Sequence, residues 1–137
     1  MDDRVRVATF EAAPTSAAEA RSFVADVLRD FGLTALVADA VLVVSELATN
    51  AVRHAHTAFS VTVDCRAGGG ALLSLRDGSP HHPIPVTAGQ LDEAGRGLAL
   101  VQLLSNDWGV STQPDGGKSV WVRLGTDPGR MVGERGG

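Results

Sequence analysis

The longest apolar segment of the chain, between Thr34 and His56, limits the folds that are open to it. At about 100° per residue, most of its apolar side chains lie along one stripe of a helix. Such a stripe needs another apolar surface to pack against, so the helix requires a sheet or further helices as its partner. Thr34 is a good N-cap residue and predicts the helix start. The stripe comprises Val37, Ala40, Val41, Val44, Ala48, Ala51 and Ala55.

Three polar residues, Glu46, Asn50 and His54, recur at every fourth position of this apolar helix. In an α-helix that spacing places them on the same side. The helical wheel puts Glu46 and Asn50 roughly opposite the packing stripe, with Val43 and Leu47 close beside them. A helix face of this kind is half covered, as the wall of a pocket would be. A solvated helix surface is the other interpretation, and the E-x-x-x-N spacing taken alone favours it.

Alternating apolar and polar residues predict strands on both sides of this helix. A further helix is expected from Ser16 to Gly32, with Ser16 and Glu19 as a capping box, and a third from Gly97 to Asp107. This order predicts an α+β fold, a two-layer sandwich of a mostly antiparallel sheet with helices on one face. The predicted strands are residues 5–10, 59–65, 71–77, 108–113 and 118–124, and the second and third form a hairpin.

Composition and charge limit what such a domain can do. Its 137 residues suffice for one domain, which we place at residues 1–125, with residues 126–137 as a disordered tail. A net charge of −4 without a basic cluster argues against a nucleic-acid partner. The single cysteine, Cys65, excludes an internal disulfide. The sequence shows no secretion signal and no uninterrupted membrane-spanning run, so we expect a cytoplasmic protein without a membrane partner.

Two glycine-containing segments follow the predicted hairpin. Asp77 ends a strand and precedes Gly78, and a glycine there lets a ligand approach the backbone, although an ordinary Asp-Gly turn has the same sequence. Further on, Gly95 and Gly97 flank Arg96 at a predicted helix start, where free N–H groups attract an anion. A flexible connection is the alternative for this second segment. The segment from Gly78 to Gly95, roughly eighteen residues, forms a loop longer than compact domains usually contain, which makes it a functional candidate.

Taken in order, these segments resemble the GHKL (Bergerat-fold) family of ATP-binding domains, and within it the stand-alone branch of anti-sigma-factor serine/threonine kinases. "SELATNAVRHA" (residues 45–55) is similar to the N box of that branch. "RDGSP" (76–80) resembles its first glycine box and "GRGLALV" (95–101) its second. "WGV" and "GGKSVWVRL" resemble its last strands, so the resemblance covers about Val5 to Leu124. The first box departs from the D-x-G-x-G pattern, because its second glycine is missing and prolines follow, which implies a stiffer lid.

The resemblance implies ATP and Mg²⁺ as cofactors. It assigns the Mg²⁺ ligand to Asn50 and the general base, which draws a proton from a serine hydroxyl, to Glu46. It assigns recognition of the adenine amino group to Asp77, next to Gly78. In the second box, phosphate-binding positions correspond to Gly95, Arg96, Gly97 and Leu98.

The last strand adds Lys118 and Ser119, which either line the adenine side or occupy ordinary strand positions. The function implied is that of a serine-protein kinase that phosphorylates an anti-sigma-factor antagonist of the STAS type and sequesters a sigma factor. Homodimers are usual in this branch. An alternative is an ATP-gated regulatory binding module without phosphotransfer, which would need no general base at Glu46. The least specific alternative is a small α+β domain that binds no nucleotide.

Overall fold

The computed structural model of the protein describes residues 4–55, 57–66, 69–78, 104–105, 107–112 and 117–125. Its strands are β1 (Val5–Phe10), β2 (Phe59–Cys65), β3 (Ala71–Asp77), β4 (Asp107–Thr112) and β5 (Lys118–Leu124). Its α-helices are α1 (Ser16–Asp30) and α2 (Val37–Asn50). A 3-10 helix, Thr34–Leu36, leads into α2, and a π-helical segment, Ala51–Ala55, follows it.

The five strands form one sheet in the order β1-β2-β3-β5-β4. Every neighbouring pair is antiparallel. The predicted hairpin is confirmed, since Phe59 lies opposite Asp77 and Cys65 lies opposite Ala71. Both helices pack on the sheet and on each other, α1 against β1 and β2, and α2 against β3 and β5. The predicted α+β fold class is confirmed.

The core face of the sheet, which the helices cover, consists of four cross-strand rows. Residues that are directly opposite on antiparallel strands point to the same face, so the register defines each row. On β2 to β5, three rows are apolar: Cys65, Ala71 and Leu124; then Val63, Leu73, Val122 and Trp108; then Val61, Leu75, Val120 and Val110. β1 extends the second row with Arg6 and the third with Ala8. The fourth row, called the polar row below, consists of Phe10, Phe59, Asp77, Lys118 and Thr112.

The sequence predicts the C-terminal end of α1 correctly but not its N-terminal cap. The capping box is wrong: the Ser16 hydroxyl donates to the Glu11 carbonyl at 2.6 Å, and Thr15 stands at the N-cap position without a side-chain cap. The predicted stop at Gly32 is confirmed. Gly32 has a φ of +75°, and the Leu33 N–H bonds to the Leu28 carbonyl at 2.8 Å, which is the Schellman pattern for ending a helix.

The helical run after Gly32 changes geometry twice. Thr34 is not the N-cap of an α-helix, because it is the first residue of the 3-10 helix that precedes α2.

By length and composition alone, residues 34–53 could also span a membrane. Core helices of globular domains share that property, and this segment contributes Ala40, Val43, Val44, Leu47, Ala48 and Ala51 to the hydrophobic core.

The outer face of the sheet is more polar, although Val5, Val7 and Leu72 also lie on it. Trp121 is its largest side chain, and its indole lies directly over Gly109 of the neighbouring strand. A Cβ at Gly109 would come within 2.7 Å of that ring, so the close packing requires glycine at this position.

The predicted third helix was extended too far. Asp107, its expected last residue, is instead the first residue of β4 and lies opposite Arg123 of β5. The rest of that prediction, and the long loop before it, lie mainly outside the described residues. Residues 126–137 also lie outside them, so the tail stays a prediction.

Candidate functional site

Glu46 and Asn50 lie on α2 one helical turn apart, and both are half-buried. The expected packing stripe was placed wrongly in detail, because Val43 and Leu47 are buried whereas Val41 is only half-buried. At 100° per residue, this rotates the packing face so that Asn50 lies roughly 90° and Glu46 roughly 130° from its centre. The two polar side chains therefore occupy the flank of the packing face. The buried residues of α2 are Ala40, Val43, Val44, Leu47 and Ala48.

The hydrogen-bonding pattern of the helix changes directly after Asn50. Ala51–Ala55 form a π-helical segment, in which each bond spans five residues, so the four-residue spacing from Asn50 to His54 no longer marks one α-helical face. The backbone of His54 lies in this segment, while its side chain lies outside the described part of the structure. Such segments are rare and occur frequently at functional sites.

Asp77 and Lys118 form an ion pair at the end of the sheet. The antiparallel register of β3 and β5 places them directly opposite each other in the polar row. Lys118 Nζ donates to Asp77 Oδ2 at 2.8 Å and to Oδ1 at 3.1 Å. The side chains are 12% and 4% exposed for Lys118 and Asp77, so the pair is largely removed from water. Removal of both charges from water is costly, and their close pairing offsets part of that cost.

Thr57 connects the helical run to the strand that carries Asp77. The Gly78 N–H donates to Thr57 Oγ1 at 3.0 Å. A Cβ at Gly78 would meet Thr57 at an ordinary contact distance of 3.6 Å, so packing against the described residues does not require glycine there. Close approach of a ligand therefore stays our interpretation of Gly78. Sequence reasoning missed Thr57, because nothing local in the sequence relates it to Gly78.

The structure separates the two candidates of the last strand. Lys118 shares the core face with Asp77, whereas Ser119 points to the outer face in line with Arg76 and Ser111. We therefore leave Ser119 out of the site proposed below. Gly95, Arg96, Gly97 and Leu98 lie outside the described residues, so their phosphate-binding role stays a prediction.

Comparison with known proteins agrees with the fold. Residues 10–124 match the model of the histidine kinase-like ATPase domain. Among solved structures, the RsbU and RsbW domains of Rv1364c from Mycobacterium tuberculosis are similar, with a TM-score of 0.68 and 20% sequence identity. The match covers 89% of this chain and 32% of that chain, so this chain spans about a third of its length. The comparison with curated proteins found no match.

Together, the sheet, the two covering helices and the family match define an ATPase domain of the GHKL fold. The chain belongs to the histidine kinase-like ATPase domain family, which implies that it binds ATP. The resemblance seen in the sequence is thereby confirmed at the level of family and fold.

Proposed function

We propose that this protein is an ATP-dependent protein serine/threonine kinase of the anti-sigma-factor type. Its protein substrate is a serine of an anti-sigma-factor antagonist, and it regulates transcription by sequestering a sigma factor. It acts in the cytoplasm, with Mg²⁺ as the metal cofactor. The family match and the structural likeness to a protein with an RsbW domain support this proposal.

One observation carries the proposal. α2 presents Glu46 and Asn50 on its flank and packs on β3 and β5, the strands whose ends hold Asp77 and Lys118. The segment that follows α2 is also joined to the end of β3, by the hydrogen bond between Thr57 and Gly78. With Glu46 as general base and Asn50 as metal ligand on α2, and Asp77 as the adenine-recognising carboxylate on β3, the contact between α2 and β3 supports their acting on one bound ATP.

The side-chain oxygens of Asp77 and Asn50 suit ATP and Mg²⁺, respectively. Asp77 offers carboxylate oxygens to an exocyclic amine, which adenine has at C6. Asn50 offers one amide oxygen, and Mg²⁺ in nucleotide sites takes one or two protein ligands together with phosphate oxygens and water. When bound, Mg²⁺ neutralises charge on the phosphate oxygens. Gly95, Arg96, Gly97 and Leu98 are the expected phosphate contacts.

Glu46 acts as the general base of the phosphate transfer. Its carboxylate accepts the proton of the substrate serine as that oxygen forms a bond to the γ-phosphorus. The bond from that phosphorus to the bridging oxygen breaks, and ADP leaves. The half-buried position of Glu46 suits this role, since it allows access from the site while limiting the carboxylate's motion.

The experiment mixes the purified protein with labelled ATP, Mg²⁺ and candidate antagonist proteins of the STAS type. Transfer of label to an antagonist serine is the expected result. ATP binding without transfer to any antagonist would favour the ATP-gated binding module instead. Absence of ATP binding would contradict both. The same preparation tests for homodimers by light scattering.

A further inference from the structure

We infer that Lys118 reads the nucleobase together with Asp77, by donating a hydrogen bond to the N1 ring nitrogen of adenine. This inference rests on the proposed function, because it concerns the same ATP site. It adds a specificity-determining residue to the carboxylate that accepts the adenine amine.

Lys118 differs from every other basic residue of the chain. It is the only lysine among the twelve Lys and Arg residues, and its side chain is only 12% exposed. An ammonium group is compact and directs three donors from one atom, whereas a guanidinium presents a broad planar fork. The position therefore combines a point charge with burial, next to the residue assigned to base recognition.

The ion pair stays intact when a base enters. Displacing Lys118 would remove the ammonium group that pairs with the buried Asp77 carboxylate, which is strongly unfavourable. The neutral amine of adenine cannot replace that charge. A carboxylate offers about four acceptor positions, so Asp77 can accept from Lys118 and from the base at the same time. Two of the three ammonium hydrogens serve Oδ1 and Oδ2 of Asp77, and neither bond uses the third.

The pair thus presents a donor next to an acceptor, with Nζ and the two carboxylate oxygens 2.8 and 3.1 Å apart. The Watson–Crick edge of adenine presents the complementary order, with the N6 amino donor next to the N1 acceptor. Guanine in the same orientation would place its O6 acceptor against Asp77 and its N1–H donor against Lys118. Both contacts would then be mismatched, so Asp77 and Lys118 each favour adenine over guanine.

The test uses 1-deaza-ATP, in which a C–H group replaces N1 and the amine is kept. Calorimetry on the unmodified protein should give an affinity for 1-deaza-ATP at least about tenfold weaker than for ATP, since a hydrogen bond to a charged donor is lost. The variant Lys118→Met should bind ATP more weakly and should no longer distinguish ATP from 1-deaza-ATP. Arg123→Met is the matched control, because it removes a cation from the outer face of the same strand. It should retain the parent's preference.

The outcomes separate this inference from the proposed function. ATP binding by the parent with equal affinity for 1-deaza-ATP would overturn the role of Lys118 alone. A Lys118→Met variant that folds and still prefers ATP would do the same. If the parent binds no ATP, the proposed function fails and this inference fails with it. The measurement on the parent decides the matter even where Lys118→Met does not fold, which circular dichroism would show.

Discussion

The two ends of the sheet's core face bury equivalent strand positions with opposite chemistry. At one end, Cys65, Ala71 and Leu124 form a wholly apolar row. At the other end, the polar row places Asp77 and Lys118 in equivalent positions. Apolar burial stabilises the fold in proportion to the area removed from water, whereas a buried ion pair contributes little net stability. We therefore expect the polar row to contribute to function more than to stability.

The titratable group at the apolar end shows the same contrast. Burial raises the pKa of the Cys65 thiol above its ordinary value, and the neighbouring carboxylate of Asp64 adds to the effect, while Arg4 and Arg6 oppose it. The thiol therefore stays neutral at physiological pH and behaves as a small apolar group. One end of the sheet's core face therefore holds the charged pair Asp77 and Lys118, and the row at the other end holds only neutral side chains.

The largest expected effect tests whether the polar end is the catalytic end. Glu46→Gln should lower phosphate transfer to an antagonist serine by at least about a hundredfold, because a general base contributes about 10²–10⁴-fold. ATP affinity should stay equal or rise, because a carboxylate near a triphosphate repels it. Single-turnover assays beside a binding titration measure both quantities. Asp39→Asn removes an exposed carboxylate from the same helix and serves as the control. Unchanged transfer would exclude Glu46 from the mechanism.

The second test converts the polar row into an apolar one. Lys118→Met should lower the free energy of unfolding by about 3–5 kcal/mol, because it leaves Asp77 buried without its cation. Adding Asp77→Leu should restore stability to the parent level or raise it by about 1–4 kcal/mol, while ATP binding is lost. Urea unfolding followed by circular dichroism measures the stabilities. A double variant clearly less stable than the parent would show that the pair itself stabilises the fold.

A third test weakens the apolar end without touching the site. Leu73 is fully buried in an apolar row, so Leu73→Ala should cost about 2–5 kcal/mol of unfolding free energy. ATP affinity of the folded fraction should not change. Leu72→Ala, one position along on the outer face, should cost clearly less. A large loss of affinity in Leu73→Ala would mean that the two ends are not separable.

The smallest expected effect on stability comes from Asn50→Ala. Asn50 lies at the flank of the packing face, so its removal should change the free energy of unfolding by no more than about 0.5 kcal/mol. Binding of ATP with Mg²⁺ should weaken by at least about tenfold, the lower end of what altering a metal site costs. Calorimetry with and without Mg²⁺ measures this. An unfolded variant would identify Asn50 as a structural residue.

Much of the fold could be predicted because its elements are set by local patterns. Alternation located β1, β2 and β5, the glycine turn after β2 located β3, and the positive φ at Gly32 follows from its place after a helix. The errors arose where contacts outside the expected element decide. Ser16 bonds to Glu11 rather than capping α1, and Asp107 pairs with Arg123 rather than ending a helix.

The site was predictable only in part, for the same reason. Glu46, Asn50 and Asp77 were found through a resemblance in several short segments. The ion pair between Asp77 and Lys118 joins residues 41 positions apart, and it depends on the register of β3 and β5. Two neighbouring candidates, Lys118 and Ser119, could be assigned to faces only once that register was known.

The placement of the two tryptophans gives the protein a pair of separate optical probes. Trp108 lies on the core face, two rows from the ion pair and about 13 Å from it along the strands, while Trp121 lies on the outer face over Gly109. The chain contains no tyrosine, so its near-ultraviolet emission comes from these two indoles. Replacing Trp121 with phenylalanine leaves a fluorophore on the core side of the sheet, and replacing Trp108 leaves one on the opposite side. Nucleotide titrations of the two variants would therefore report on the two faces of the sheet independently.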